Sequence, residues 1–362
     1  MASTQADRGR VSGAAADSAG NIVAFAKRLL SFAEQEHGRL PGRRAFALAG
    51  RSIGIGFSTP EYAALCDRAY LARSSRADDE PQVKLAVLDY ESLPHMPPWT
   101  GPAPGLHEVA TVLAEQGLRG AYDASYTTWD IYDPARALGA QAMLSTSPRP
   151  PWEPSFPLRL LLHWAGRAEA RGMIHAGSLG YRGRGVFLVG AGGSGKSGTT
   201  LSGILNGLSS VGDDYVAVSV TGRIVEAQPV LRLMKQDVRG LRRLGLESGK
   251  GPLDGRPNWQ GKIEFDYGAL APGARAERLA MAAIVMPHIA RSTSSSLRPA
   301  SAREAMLAMA PSSLYQLHGS WREDFGLIAS IARALPAFHL DLSEDPAEIA
   351  TAIRTFIGNG AK

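Results

Sequence analysis

Residues 185–205 read GVFLVGAGGSGKSGTTLSGIL, and this stretch constrains the fold more than any other. An apolar run, Val186-Phe187-Leu188-Val189, meets a glycine-rich turn, and Lys196 and Ser197 then open a segment with helical character. Strand, glycine loop and helix in that order make a phosphate-binding P-loop. Glycines let backbone N–H groups converge on an anion, and the following helix turns its positive end to the same point. The expected phosphate cradle is Gly190, Gly192, Gly193, Ser194, Gly195, Lys196, Ser197 and Gly198. Lys196 would reach the outer phosphates, and the Ser197 hydroxyl would face Mg²⁺.

A chain of 362 residues has room for two or three domains, and 44% hydrophobic residues suffice for real cores. The net charge of +5 suits a protein that meets phosphates but is too dilute for a nucleic-acid binder. Cys66 is the one cysteine, which excludes an internal disulfide and a cysteine-rich zinc site. The first twenty residues lack an apolar signal core, and no stretch approaches the roughly 18 apolar residues of a membrane span. A cytoplasmic location and no membrane partner are expected.

Residues 1–20, small and polar, read as disordered. Residues 21–150 read as an α+β domain. It holds an amphipathic helix over 21–37, a hairpin over 46–57 and a helix capped at Thr59-Pro60. A strand over 83–90 and several strands over 117–146 follow. The proline-rich SPRPPWEPSFP (147–157) marks the boundary to a second domain, 151–362. That domain opens with a helix over 158–172. It continues with strands over 173–181 and 185–189, a short strand over 208–211, and a hairpin of 215–220 with 223–227. A helix is expected over 236–244, a loop over 247–261, and strands over 262–267, 279–286 and 337–342. Residues 291–299 read as a flexible polar loop. Ser301/Glu304 and Ser320/Glu323 are capping boxes, and Asp345-Pro346 opens the last helix.

Two further features sit at fixed distances from the loop. Asp213-Asp214 begins 17 residues after Lys196, at the end of an apolar strand. Adjacent carboxylates there can divide the labour, one holding Mg²⁺ and one facing an incoming hydroxyl. A solvated turn pair is the other reading. His175 lies 21 residues before Lys196, on the strand expected to pair with the loop strand. It is either a core histidine or a group that stabilises transferred charge.

With these spacings, MIHAGSLGYRGRGVFLVGAGGSGKSG followed by GDDYVAV resembles the catalytic domain of the HPr kinase/phosphorylase family, over roughly residues 155–357. These are P-loop kinases of the phosphoenolpyruvate carboxykinase type. The resemblance implies a mixed α/β kinase domain behind a smaller α+β domain. The N-terminal half resembles, in outline, the leader region of kinases from modified-peptide pathways, lasso peptides included. By the same resemblance Lys196 and the loop amides would hold phosphate, Ser197 and Asp214 would serve Mg²⁺, Asp213 would accept the hydroxyl proton, and His175 would help place the phosphoryl group. Lys262 would be a second phosphate contact, or simply a surface lysine. Gly198 departs from the family's acidic residue after the P-loop serine, and Asp237-Val238-Arg239-Gly240 only echoes its second signature.

The expectation is therefore an ATP- and Mg²⁺-dependent kinase of a hydroxyl, serine in a peptide or small protein. The alternatives are a kinase of a free amino acid or other metabolite, and a nucleotide-sensing peptide-binding protein without catalysis. Members of the family often assemble, so a homo-oligomer is open.

Overall fold

A computed structural model describes residues 3–71, 80–145 and 147–361; the side chains of residues 3–17 and 291 lie outside that description. The fold is mixed α/β with mixed sheets. It divides into two compact units: residues 1–67, 72–153 and 158–165 form one, and residues 68–71, 154–157 and 166–362 the other. No helix among the described residues is long and apolar enough to cross a membrane.

The first unit is built from α1 (Ser3–Glu36), β1 (Gly42–Leu48), β2 (Arg51–Phe57), α2 (Pro60–Ala69), β3 (Val83–Asp89), α3 (Leu106–Glu115), β4 (Arg119–Asp123), β5 (Thr128–Asp133), β6 (Leu138–Met143) and α4 (Arg159–Ala165). The six strands form one sheet in the order β1-β2-β3-β6-β5-β4, with β2, β3 and β6 parallel and the remaining pairs antiparallel. Ile22, Phe25, Leu29 and Ala33 recur at helical spacing and are wholly buried. Phe25 packs 4.8 Å from Trp129, and Tyr122 stands 4.6 Å from Trp129. Backbone helix begins at Ser3 rather than Asn21; the expected disorder over 1–20 falls mostly on side chains outside the described set. α3 has no counterpart in the sequence reading, because prolines before it and a short amphipathic period hide it. α4 is shorter than expected and packs on β5 and β6 in this first unit, not in the second.

The second unit continues with β7 (Arg171–Ile174), β8 (Gly177–Tyr181), β9 (Arg184–Leu188), α5 (Lys196–Leu205), β10 (Val216–Thr221), β11 (Ile224–Pro229), β12 (Leu233–Asp237), α6 (Val238–Arg243), β13 (Lys262–Asp266), α7 (Tyr267–Leu270), β14 (Leu279–Ser292), β15 (Ser296–Ala300), α8 (Ala302–Gln316), α9 (Trp321–Ala334), β16 (Ala337–Ser343) and α10 (Pro346–Gly358). The main sheet has eight strands. β14 lies at its centre, parallel to both β9 and β16, and the other pairs are antiparallel. β12 and β13 form a separate two-stranded sheet.

Alternation along β9 explains its unbroken apolar run. Val186 and Leu188 belong to the core shared with α5 and α10. Phe187 and Val189 belong to the core shared with α8 and α9. A strand covered by helices on both faces must be apolar at every position. Full burial of Phe187 and Leu188 stabilises by about 1.5–3 kcal/mol each.

Several expected elements shift. The strand expected over 173–181 breaks at His175-Ala176 into β7, which pairs with β10, and β8, which pairs with β9. The helix expected from Gln236 begins at Val238; Gln236 lies in β12, and Asp237 caps α6 by accepting from Gly240 N at 2.8 Å. The loop over 291–299 is largely ordered as the end of β14 and the start of β15, because both find a partner in β16. Ser301 and Glu304 make their capping box. Ser320 makes no side-chain cap; its hydroxyl donates to Asp324 at 2.7 Å.

Candidate phosphate-binding and acidic site

The glycine loop joins the buried end of β9 to the N-terminus of α5. Gly195 caps the helix with φ +104°, a left-handed backbone that only glycine adopts at little cost. Thr199 N then donates to Gly195 O at 2.8 Å, which starts the helical ladder. A methyl group at Gly192 or Gly193 would meet nothing within 4 Å, so this face of the loop is open. Ser194 Oγ is buried and has no hydrogen-bond partner among the described residues.

Lys196 is the first residue of α5 and is buried. Its Nζ donates to Gly190 O at 2.7 Å and Ala191 O at 3.0 Å, so the ammonium lies across the loop. Burial lowers its pKa, while Asp213 and Asp214 pull the other way and Lys262 adds to the lowering. Lys262, at the start of β13, is therefore close enough to Lys196 to be felt. Gly198 lies under Gln236, whose Nε2 would be 3.7 Å from a methyl group there.

The acidic pair is held by a buried hydroxyl latch. Ser178 Oγ donates to Gly212 O at 3.0 Å and accepts from Val211 N at 3.0 Å. Ser210 Oγ accepts from Gly212 N at 3.0 Å and donates to Gly212 O at 3.1 Å. Both serines are wholly buried. The turn Gly212-Asp213-Asp214 is thus fixed from two directions, and the two carboxylates face different partners.

Asp213 is 6% exposed, and its Oδ1 has no hydrogen-bond partner among the described residues. Burial raises its pKa, with the nearby Ser197 hydroxyl opposing. Gly177 makes the space: a methyl group there would lie 2.6 Å from Thr200 Oγ1 and 3.2 Å from Asp213 Oδ1. Asp214 has both oxygens engaged. His175 Nε2 is 3.0 Å from Oδ1, and Lys235 Nζ is 2.7 Å from Oδ2. Burial alone would raise its pKa, but the Lys235 ammonium and the His175 hydrogen bond hold it well below the usual carboxylate range.

His175 sits in the gap between β7 and β8. Its ring meets Tyr215 edge-on at 5.3 Å, and its backbone N donates to Ser313 Oγ at 3.0 Å. The structure therefore brings together the loop, Lys196, Ser197, Asp213, Asp214 and His175, with Lys262 at the periphery. It adds Lys235 and Thr200, which no sequence motif singles out. Lys235 lies in a strand of five residues, LMKQD, too short for its pattern to be told from a helix.

No protein-family model matches the chain, and no curated protein does. Among solved structures, the chain aligns with the Hpr(Ser) kinase/phosphatase from Coxiella burnetii at 13% sequence identity and a TM-score of 0.30. That alignment covers 52% of this chain and 99% of the other.

Proposed function

We propose that the protein is an ATP- and Mg²⁺-dependent kinase that phosphorylates a hydroxyl, with serine in a peptide or small protein as acceptor. The observation that carries the reading is Asp213. A buried carboxylate with a raised pKa and an oxygen free of hydrogen bonds stands beside Ser197, at the mouth of a phosphate cradle. A proton acceptor is most useful where its affinity for protons is raised and its lone pair is uncommitted.

The loop amides and Lys196 would bind the nucleotide phosphates, with Lys262 as an outer contact. Asp214 would hold Mg²⁺ on displacing Lys235 from its Oδ2, with Ser197, whose hydroxyl lies beside Asp213, as the hydroxyl ligand. A hydroxyl with one or two carboxylates is the usual protein share of such a site, phosphates and water supplying the rest. The described residues hold no cluster of three or more His, Cys, Asp or Glu suited to a metal by itself, so the nucleotide would complete the shell. When bound, Mg²⁺ neutralises charge on the phosphates. Asp213 Oδ1 takes the proton of the acceptor hydroxyl. The hydroxyl oxygen bonds to the γ-phosphorus, the bond to the bridging oxygen breaks, and ADP leaves. His175 holds Asp214 from the side facing Tyr215.

The test incubates the protein with MgATP labelled in the γ position and with serine-containing peptides. The label should pass to peptide in the wild type and not in Lys196→Ala. Equal transfer by Lys196→Ala would sink the reading.

A further inference from the structure

The Lys235–Asp214–His175 cluster contains a cation that the kinase reading does not use. Lys235 lies on β12, with Gln236, its neighbour in the chain, packed over the start of α5 at Gly198. Its side chain is 19% exposed and that of Asp214 is 22%. Nζ sits 2.7 Å from Oδ2 while His175 occupies Oδ1, so both oxygens of Asp214 already have partners. A divalent cation approaching Asp214 meets an ammonium at the same oxygen. Two cations cannot share one partly buried carboxylate oxygen without strong repulsion. Lys235 is long, with four rotatable methylenes, and its charge can turn from a carboxylate to a phosphate without moving the strand.

We infer that Lys235 is a positioning residue that serves as the counter-ion of Asp214 and yields it to Mg²⁺ when nucleotide binds, so that Lys235 sets how readily the site takes the metal. This rests on the Mg²⁺-nucleotide reading of the site. Asp213 lacks such a resident partner, which separates the two carboxylates: one is open to the acceptor, the other is guarded against a stray cation.

The experiment titrates MgCl₂ into full-length protein with a fluorescent, non-hydrolysable ATP analogue, and reads analogue binding. Lys235→Met should need less MgCl₂ for half-saturation by about threefold or more, the scale of a partly exposed ion pair. Lys235→Arg, which keeps the charge, should stay within about twofold of wild type. A metal requirement that is unchanged or higher in Lys235→Met overturns the inference, because a merely structural lysine would loosen the site. If Lys235→Met does not fold, the wild type still decides. The ¹⁵Nζ resonance of Lys235, assigned by its loss in Lys235→Arg, should shift when MgCl₂ is added to the analogue complex; an unmoved resonance overturns the inference. Equal analogue binding by wild type and Lys196→Ala would instead remove the nucleotide reading beneath it.

Discussion

Gly177 is the residue whose smallest change tests the packing of the site. Adding one methyl group there places Cβ 2.6 Å from Thr200 Oγ1 and 3.2 Å from Asp213 Oδ1. The first distance is well inside van der Waals contact. Thr200 is wholly buried in α5, and its hydroxyl donates to Lys196 O at 3.0 Å, so it cannot turn away freely. Either α5 or the start of β8 must shift. Overpacking of this kind costs about 1–3 kcal/mol. In a unit of this size that is roughly 2–4 °C of melting temperature per kcal/mol. The assay is a double-mutant cycle by chemical denaturation with Gly177→Ala, Thr200→Ala and the pair. Thr200→Ala removes the main obstacle, so the double variant should recover about 1 kcal/mol relative to the sum of the singles. The reasoning is refuted if Gly177→Ala is as stable as wild type, or if the two changes simply add.

Three further outcomes follow from buried polar groups. Ser178→Ala takes away the acceptor of the Val211 N–H and Ser210→Ala that of the Gly212 N–H, and each unpaired amide should cost about 1–3 kcal/mol in denaturant melts. Arg167→Ala removes the guanidinium 3.3 Å from the buried Asp324 carboxylate, so a loss of about 3–5 kcal/mol is expected. In the first unit, burial pushes the Asp130 carboxyl up to about 7. A carboxyl with a raised folded pKa binds its proton in the folded state where the unfolded chain has lost it. Its contribution to stability is therefore greatest below the usual carboxylate range and falls as pH rises toward about 7. Asp130→Asn should flatten that fall when melting is followed from pH 4 to 8.

Much of the site is legible from local pattern, because β9, the loop and α5 are consecutive and each carries its own signal. Val186–Val189 alternates between two apolar cores, Gly190–Gly195 turns, and Lys196 begins the helix. Position along the chain also places Asp213-Asp214 just before β10, although residues 208–211 make only isolated bridges at Ser209 and Ser210 and not the expected strand. What local pattern cannot show is how a turn distributes two adjacent side chains. Asp213 points to Thr200 and Ser197, and Asp214 to His175 and Lys235, only because two buried serines fix Gly212. Lys235 reaches Asp214 from 21 positions further along the chain, a tertiary contact with no short-range signature. His175 illustrates the same limit, since it occupies a break between strands where an unbroken strand is the natural reading. β15 is ordered by pairing with β16 despite a run of serines that favours a loop. The mixed sheet of the second unit is as expected; the membership of α4 in the first unit is set by packing and not by the prolines before it.

The most direct measurement compares wild type with Asp213→Asn in a single turnover of γ-phosphate to a serine peptide, after binding of MgATP has been shown equal in the two. The substitution keeps shape and hydrogen-bonding capacity but removes the proton acceptor. The account predicts a fall in the transfer rate of about a hundredfold or more with nucleotide affinity preserved. Full transfer by Asp213→Asn would contradict it.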